Sequence, residues 1–122
     1  MFSSGAQAPR WGAIQVPIGN GVRIEMPVFI VLGRYTQKGI ENMKASPERL
    51  EAARKVARSA GGEIKEFYYT MGRYDFVAVC EAQSIESMTR SLLIISGVGA
   101  VRTETLPAMP ADKAVDIFKG LP

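Results

Sequence analysis

The chain has no histidine and a single cysteine in 122 residues. Histidine is the commonest general base and a standard ligand for zinc and haem iron, so its absence removes most metal-centred and haem chemistry. A nucleophile–histidine dyad within one chain is excluded on the same ground. Cys80 alone can form neither an internal disulfide nor a cysteine-rich zinc site, and no cofactor is expected. No apolar run approaches the roughly 20 residues that a membrane-spanning helix requires. The opening residues, Met1 to Arg10, lack the apolar centre of a secretory signal, so the expected address is cytoplasmic, with no membrane partner. The net charge is only +3, and Arg49, Arg54 and Lys55 are interleaved with Glu48 and Glu51. A nucleic-acid partner, which calls for a clustered basic face, is not expected.

What remains is an ordinary globular composition, 47% hydrophobic and 22% charged, at a length that suits one domain. Residues 1–25 stand apart, rich in glycine and poor in helix formers. Ile14, Val16 and Ile18 alternate, Gly19-Asn20-Gly21 follows, and Val22 and Ile24 alternate again. Three readings stay open for this segment: a β-hairpin, a loose extension, or residues preceding a true start at Met26.

From residue 26 the pattern is regular. Val28–Tyr35 is nearly all apolar, as in a strand covered on both faces. Thr36–Ala45 reads as a turn with a short helical piece. Ser46-Pro47-Glu48 opens a helix, with Ser46 as its expected cap, and Leu50, Ala53, Ala57 and Ala60 form its apolar stripe. Gly61-Gly62 ends it. Strands follow at Glu63–Thr70 and Asp75–Ala82, joined by a tight turn at Met71–Tyr74. Ser84 caps a second helix with Ile85, Met88, Leu92 and Ile95 on its stripe, closed by Gly97 and Gly99. Ala100–Leu106 is a fourth strand, stopped by Pro107 and Pro110, and Asp112–Lys119 a terminal helix. Gly97-Val98-Gly99 follows a helix rather than a strand, the wrong context for a dinucleotide-binding loop.

The order β-α-β-β-α-β is the ferredoxin-like plan of an α+β domain over residues 26–122. It predicts an antiparallel sheet ordered 4-1-3-2, numbering the domain's own strands. The first and third strands are apolar and belong in the centre; the second and fourth are mixed and belong at the edges. Both helices would cover one face. The other face would expose alternate members of Val28–Leu32, each worth roughly 1.5–3 kcal/mol on burial. Pairing two sheets face to face would remove that patch, so a homodimer through the sheet faces is expected.

The runs LGRYTQKGIENMKASPERLEAARK, FYYTMGRYDFVAV and AVRTETL resemble the GYD domain family, over about residues 27–119. The signature Gly-Tyr-Asp falls on Gly72, Tyr74 and Asp75, with Arg73 between Gly and Tyr. The resemblance implies the dimeric α/β-barrel group of ferredoxin-like folds. It carries over no catalytic residues. The segment 1–25 has no counterpart in a typical member, and Gln83-Ser84-Ile85 replaces a more acidic helix entry.

Several residues have chemistry to offer. Tyr74 and Asp75 are candidate proton donor and acceptor at a cavity mouth, against a plain turn in which Gly72 supplies positive φ and Asp75 bonds turn amides. Arg34 and Tyr35 end the first strand beside Arg102 and Glu104 on the fourth. They form a candidate polar cluster for an anionic or carbonyl group, against an ion pair or dimer contact. Phe67, Tyr68 and Tyr69 put aromatics on both faces of the second strand, as pocket walls or edge packing. Gly72 and Tyr68 complete the candidate ligand set. Cys80 reads as a buried hydrophobe. Arg49, Arg54, Lys55 and Arg58 offer a candidate anion patch, against a solvated helix face.

Three functions suit these features. The leading one is a dimeric small-molecule-binding module with its cavity near the Tyr74 turn and the Arg34 and Arg102 cluster. The alternative is a cofactor-free enzyme, a small oxygenase or isomerase, by analogy of fold. The third is a regulatory domain acting through another protein.

Overall fold

The computed structural model describes residues 14–18 and 21–122, with side chains from Met26 onward. Strands β1 (Ile14–Ile18) and β2 (Gly21–Glu25) pair antiparallel as a two-stranded sheet. The Gly19-Asn20 turn expected between them lies outside the described residues.

A four-stranded antiparallel sheet holds β3 (Val28–Tyr35), β4 (Glu63–Tyr69), β5 (Phe76–Glu81) and β6 (Val101–Ala108) in the order β4-β5-β3-β6. Counted within this sheet, that is second, third, first, fourth; read from the β6 edge it runs 4-1-3-2. The apolar strands β3 and β5 are central, as their composition demands. Between β3 and β4 come α1 (Gln37–Glu41), a single 3-10 turn (Met43–Ala45) and α2 (Ser46–Ser59). Helix α3 (Ile85–Ser96) joins β5 to β6, and α4 (Ala111–Lys119) follows β6.

Strand β3 shows strict alternation. Phe29 and Val31 are buried, while Val28, Ile30 and Leu32 are half-exposed. The buried set joins Ile64, Phe76, Ala78, Cys80, Ala82 and Met88 in one core, with Leu50, Ala53 and Ala57 of α2 and Leu92 of α3 packed against it. Helices α2 and α3 therefore share one face of the sheet, and the even-numbered side chains of β3 point to the other.

Two details depart from expectation. Ser46 does not cap α2: Ala45 occupies the cap position, without a side-chain hydrogen bond, and Ser46 is buried. The cause is its place in the stripe, one turn before Leu50. Strand β6 runs past Pro107 to Ala108; an edge strand can spare one N–H, so proline there does not end it. Ser84 does cap α3, accepting from the Ser87 amide at 3.0 Å.

Gly33 holds the sheet and its aromatic packing together. A Cβ at Gly33 would overlap the Phe76 ring, which stacks on Phe67 at 5.1 Å and meets Tyr35 at 5.7 Å. Gly33→Ala is therefore expected to cost about 2 kcal/mol by overpacking. The test is the urea midpoint, and Phe76→Leu should recover part of the loss in the Gly33→Ala background.

Candidate functional site

Strand alternation sends neighbouring residues to opposite faces, and this divides the residues that the sequence groups together. Arg34 lies on the open face, its guanidinium 5.1 Å from the centre of the Tyr74 ring. Tyr35 lies on the helix face, its hydroxyl 3.3 Å from Ser46 Oγ. Tyr68 turns to the open face, where its hydroxyl donates to Glu66 at 2.6 Å. Tyr69 turns to the helix face, its hydroxyl 3.0 Å from Ser46 Oγ.

Tyr74 and Asp75, in the turn that precedes β5, also part. The Tyr74 hydroxyl donates to Glu104 at 2.6 Å, a bond that holds its proton and raises its pKa. The Asp75 carboxylate accepts from the Tyr35 amide at 2.9 Å, while the Asp75 amide donates to the Gly33 carbonyl at 2.7 Å. The Asp75 carbonyl accepts from the Thr70 amide at 2.9 Å. Asp75 thus ties the β4–β5 hairpin to the end of β3. The expected donor–acceptor pair at one cavity mouth does not form, because consecutive side chains diverge. Gly72 has φ of 104° and open space beside it, so its role is the turn, not close approach of a ligand.

The cavity lies between the sheet and the helices, away from the Arg34, Arg102, Tyr74 and Glu104 group. Its volume is about 360 Å³, and its walls are mostly apolar, with Val31, Leu50, Ile64, Phe76, Met88 and Leu92 among them. Tyr35, Ser46 and Arg49 bring polar atoms to it. Burial raises the Tyr35 pKa; the Ser46 hydrogen bond and the Arg49 charge oppose that rise. Of this polar end, the candidate ligand set from the sequence included only Tyr35; Ser46 was read as a helix cap and Arg49 as part of a helix-face patch. Ser46 and Arg49 were legible in principle, since 46, 50, 53 and 57 continue one helical stripe and Arg49 borders it.

On the open face, the register sets Arg34 opposite Arg102 and Leu32 opposite Glu104. Ile30 and Leu32 lie opposite Val79 and Val77 of β5, and Val28 opposite Glu81. Leu106, opposite Ile30, is 42% exposed. This face has an apolar centre, with Arg34 and Arg102 toward one end, Glu104 one pair inward from them, and Glu81 toward the other end. Among the described residues no group of three or more acidic or cysteine side chains is placed to hold a metal, and no helix is long and apolar enough to cross a membrane.

The fold and the Gly72–Asp75 hairpin agree with the comparison to known families, in which the GYD domain matches residues 29–118. The chain belongs to the GYD domain family. A relative from Thermus thermophilus, the glutamine synthetase and cystathionine beta-lyase binding protein, is 38% identical over 86 residues, covering 70% of this chain and 90% of the relative. The crystal structure of TTHA0845, also from Thermus thermophilus, is similar with a TM-score of 0.46 and 25% identity, over 70% of this chain and 95% of that one.

Two outcomes test the site chemistry. Asp75→Ala leaves the Tyr35 amide without its acceptor and is expected to cost about 1–3 kcal/mol; Asp75→Asn keeps an oxygen there and should cost less, as read by urea unfolding. Burial pushes the Cys80 thiol up to about 11 from an ordinary 9.0. The folded state therefore keeps a proton that the unfolded state loses, and this contribution to stability falls as pH rises through that window. Native alkylation of Cys80 should be slow at neutral pH, accelerate toward the upper end of the window, and become fast in urea at any pH in between.

Proposed function

We propose that this GYD-family protein is a homodimeric small-molecule-binding module of the ferredoxin-like, dimeric α/β-barrel type, working in the cytoplasm. The cavity under α2 and α3 carries the binding reading. Its volume of about 360 Å³ sits within the range of ligand pockets, and apolar walls with a few convergent polar groups are the usual form of such sites.

The open face supports the dimer. A half-exposed apolar centre of Ile30, Leu32, Val77, Val79 and Leu106 gains from removal from water. Its charges are distributed for a second copy: a two-fold axis across the strands lays the Arg34 and Arg102 end over the Glu81 end of the partner sheet. Complementary ends of this kind fix orientation and register. Arg34, Arg102, Glu104, Tyr68 and Tyr74 are then interface residues rather than ligand contacts.

A second reading follows from the relative, whose name records binding to two enzymes. A small dimer of this kind would present paired outer surfaces to an enzyme partner, with the cavity ligand as a modulator. A cofactor-free oxygenase or isomerase has less support, because its acid–base pair, Tyr74 and Asp75, is divided between two environments.

The dimer is tested by sedimentation. The unaltered chain should sediment as a dimer, and Leu106→Asp, on an edge strand where the fold can absorb the change, should give a folded monomer. Arg34→Glu should weaken association by setting like charges together. A wild-type monomer at high concentration would overturn the assembly. The binding reading is tested separately, by a fragment screen followed through the methyl resonance of Met88, which lines the cavity; no response to any fragment would remove it.

A further inference from the structure

The polar end of the cavity is asymmetric in a way that selects a ligand. Tyr35, Ser46 and Tyr69 form a row of hydroxyls, with Ser46 Oγ 3.3 Å from the first and 3.0 Å from the last. Each hydroxyl owns one proton. The two hydrogen bonds of the row use two protons, so one O–H remains to donate outward. Ser46, the centre of the row, is only 7% exposed, while Tyr69, 54% exposed, stands at its outer end; when Tyr69 donates to Ser46 and Ser46 to Tyr35, the spare proton is that of Tyr35, which lines the cavity.

Arg49 stands three residues along α2 from Ser46, on the same side of the helix. Its guanidinium donates to the Asn42 carbonyl at 2.9 Å and to the Gly39 carbonyl at 3.4 Å. These two bonds fix its position and use two of its five N–H groups. Both acceptors are neutral carbonyls, so neither cancels the positive charge. Glu48 and Glu81 also border the cavity; Glu48 is exposed, Glu81 pairs with Val28, whose side chain points to the open face, and the Asp75 carboxylate is engaged with the Tyr35 amide. The cavity thus ends in hydroxyl and guanidinium donors, behind which lie apolar walls.

We infer that the cavity takes a small monocarboxylate with a compact apolar body, a medium-length aliphatic chain or a single aromatic ring, whose carboxylate accepts from Arg49 and from the free proton of the Tyr35–Ser46–Tyr69 row. This rests on the binding-module reading and names its ligand class. A carboxylate has two acceptor oxygens for a pair of donors, one of them charged, which is where hydrogen bonds are strongest. A primary ammonium meets the same charge with repulsion. An uncharged alcohol satisfies the hydroxyl row but leaves the Arg49 charge unmatched. The volume of about 360 Å³ limits the body to a short chain or one ring.

The test titrates octanoate, octanol and octylamine into the full chain, carrying methyl-labelled methionine. Met88 lines the cavity, and Met71, 98% exposed, serves as a reference. Octanoate should shift the Met88 methyl resonance and bind about ten-fold or more tightly than octanol, as expected for a charge-assisted contact; octylamine should not bind. Arg49→Gln should abolish the preference for octanoate over octanol, Arg49→Lys should retain part of it, and Tyr35→Phe should weaken octanoate binding while leaving the Met88 resonance of the free protein in place. Equal binding of octanoate and octanol, or a preference that survives Arg49→Gln, overturns the carboxylate assignment and leaves the binding module standing. Failure of all three probes to move Met88, or a shift of Met71 alone, overturns the assignment; failure of the broader fragment screen as well removes the module.

Discussion

The two-residue period of β3 is the constraint on which the rest of the structure depends. Odd-numbered residues, from Phe29 through Tyr35, face α2 and α3, and even-numbered ones, from Val28 through Arg34, face away. Because paired strands share this period, the same division extends through β5 and β6 and into β4, where an irregularity between Ile64 and Glu66 shifts the phase by one residue. A slip of one residue would put Phe29 and Val31 on the open face and Arg34 into the core, an exchange of apolar for charged burial that the domain could not sustain. The two faces consequently carry different chemistry: a helix-covered side with a pocket and hydroxyls, and an open side with an apolar centre and charged residues toward its ends.

The same division gives the Gly-Tyr-Asp signature a physical account. Gly72 turns the chain at positive φ, Tyr74 reaches across the open face to Glu104, and Asp75 secures the end of β3 through the Tyr35 amide and the Gly33 carbonyl. Each of the three has a structural task. Asp75 sets the position of the Tyr35 backbone, and Tyr35 in turn places its hydroxyl beside Ser46. The signature acts on the cavity by positioning one of its walls, without entering it.

Much of the fold was legible because long segments carry a clear period. The apolar run Val28–Tyr35, the stripe Leu50–Ala53–Ala57 and the Ser84 cap all report local structure, and the structure places them accordingly. The site was less legible for a definite reason. Adjacent polar residues look like clusters in a sequence, yet Arg34 and Tyr35 sit in a strand, where adjacency means opposite faces, and Tyr74 and Asp75, in the turn before β5, bond to different partners. Ser46 was hidden by its chemistry: a serine before proline at a helix start has the composition of a cap, and only its phase relative to Leu50 reveals that it faces inward. Arg49 was hidden among other cations on α2, from which only its contacts with Asn42 and Gly39 separate it.

The small side chains of α2 connect packing to function. Ala53, Ala57 and Ala60 face a sheet that offers Phe67, Phe76 and Ile64, and the resulting space is not filled by larger groups. Interiors are normally close-packed, and dispersion contacts favour filling such space. On the binding reading proposed above, this space beside the Tyr35 and Ser46 hydroxyls is where a ligand would sit, in a domain whose size leaves little stability to forgo. Its occupant would supply the missing apolar contacts and stabilise the fold by linkage. Since the open face lies on the other side of the sheet, association of two copies and occupation of the cavity draw on separate side chains, and each can be altered by substitution without rebuilding the other.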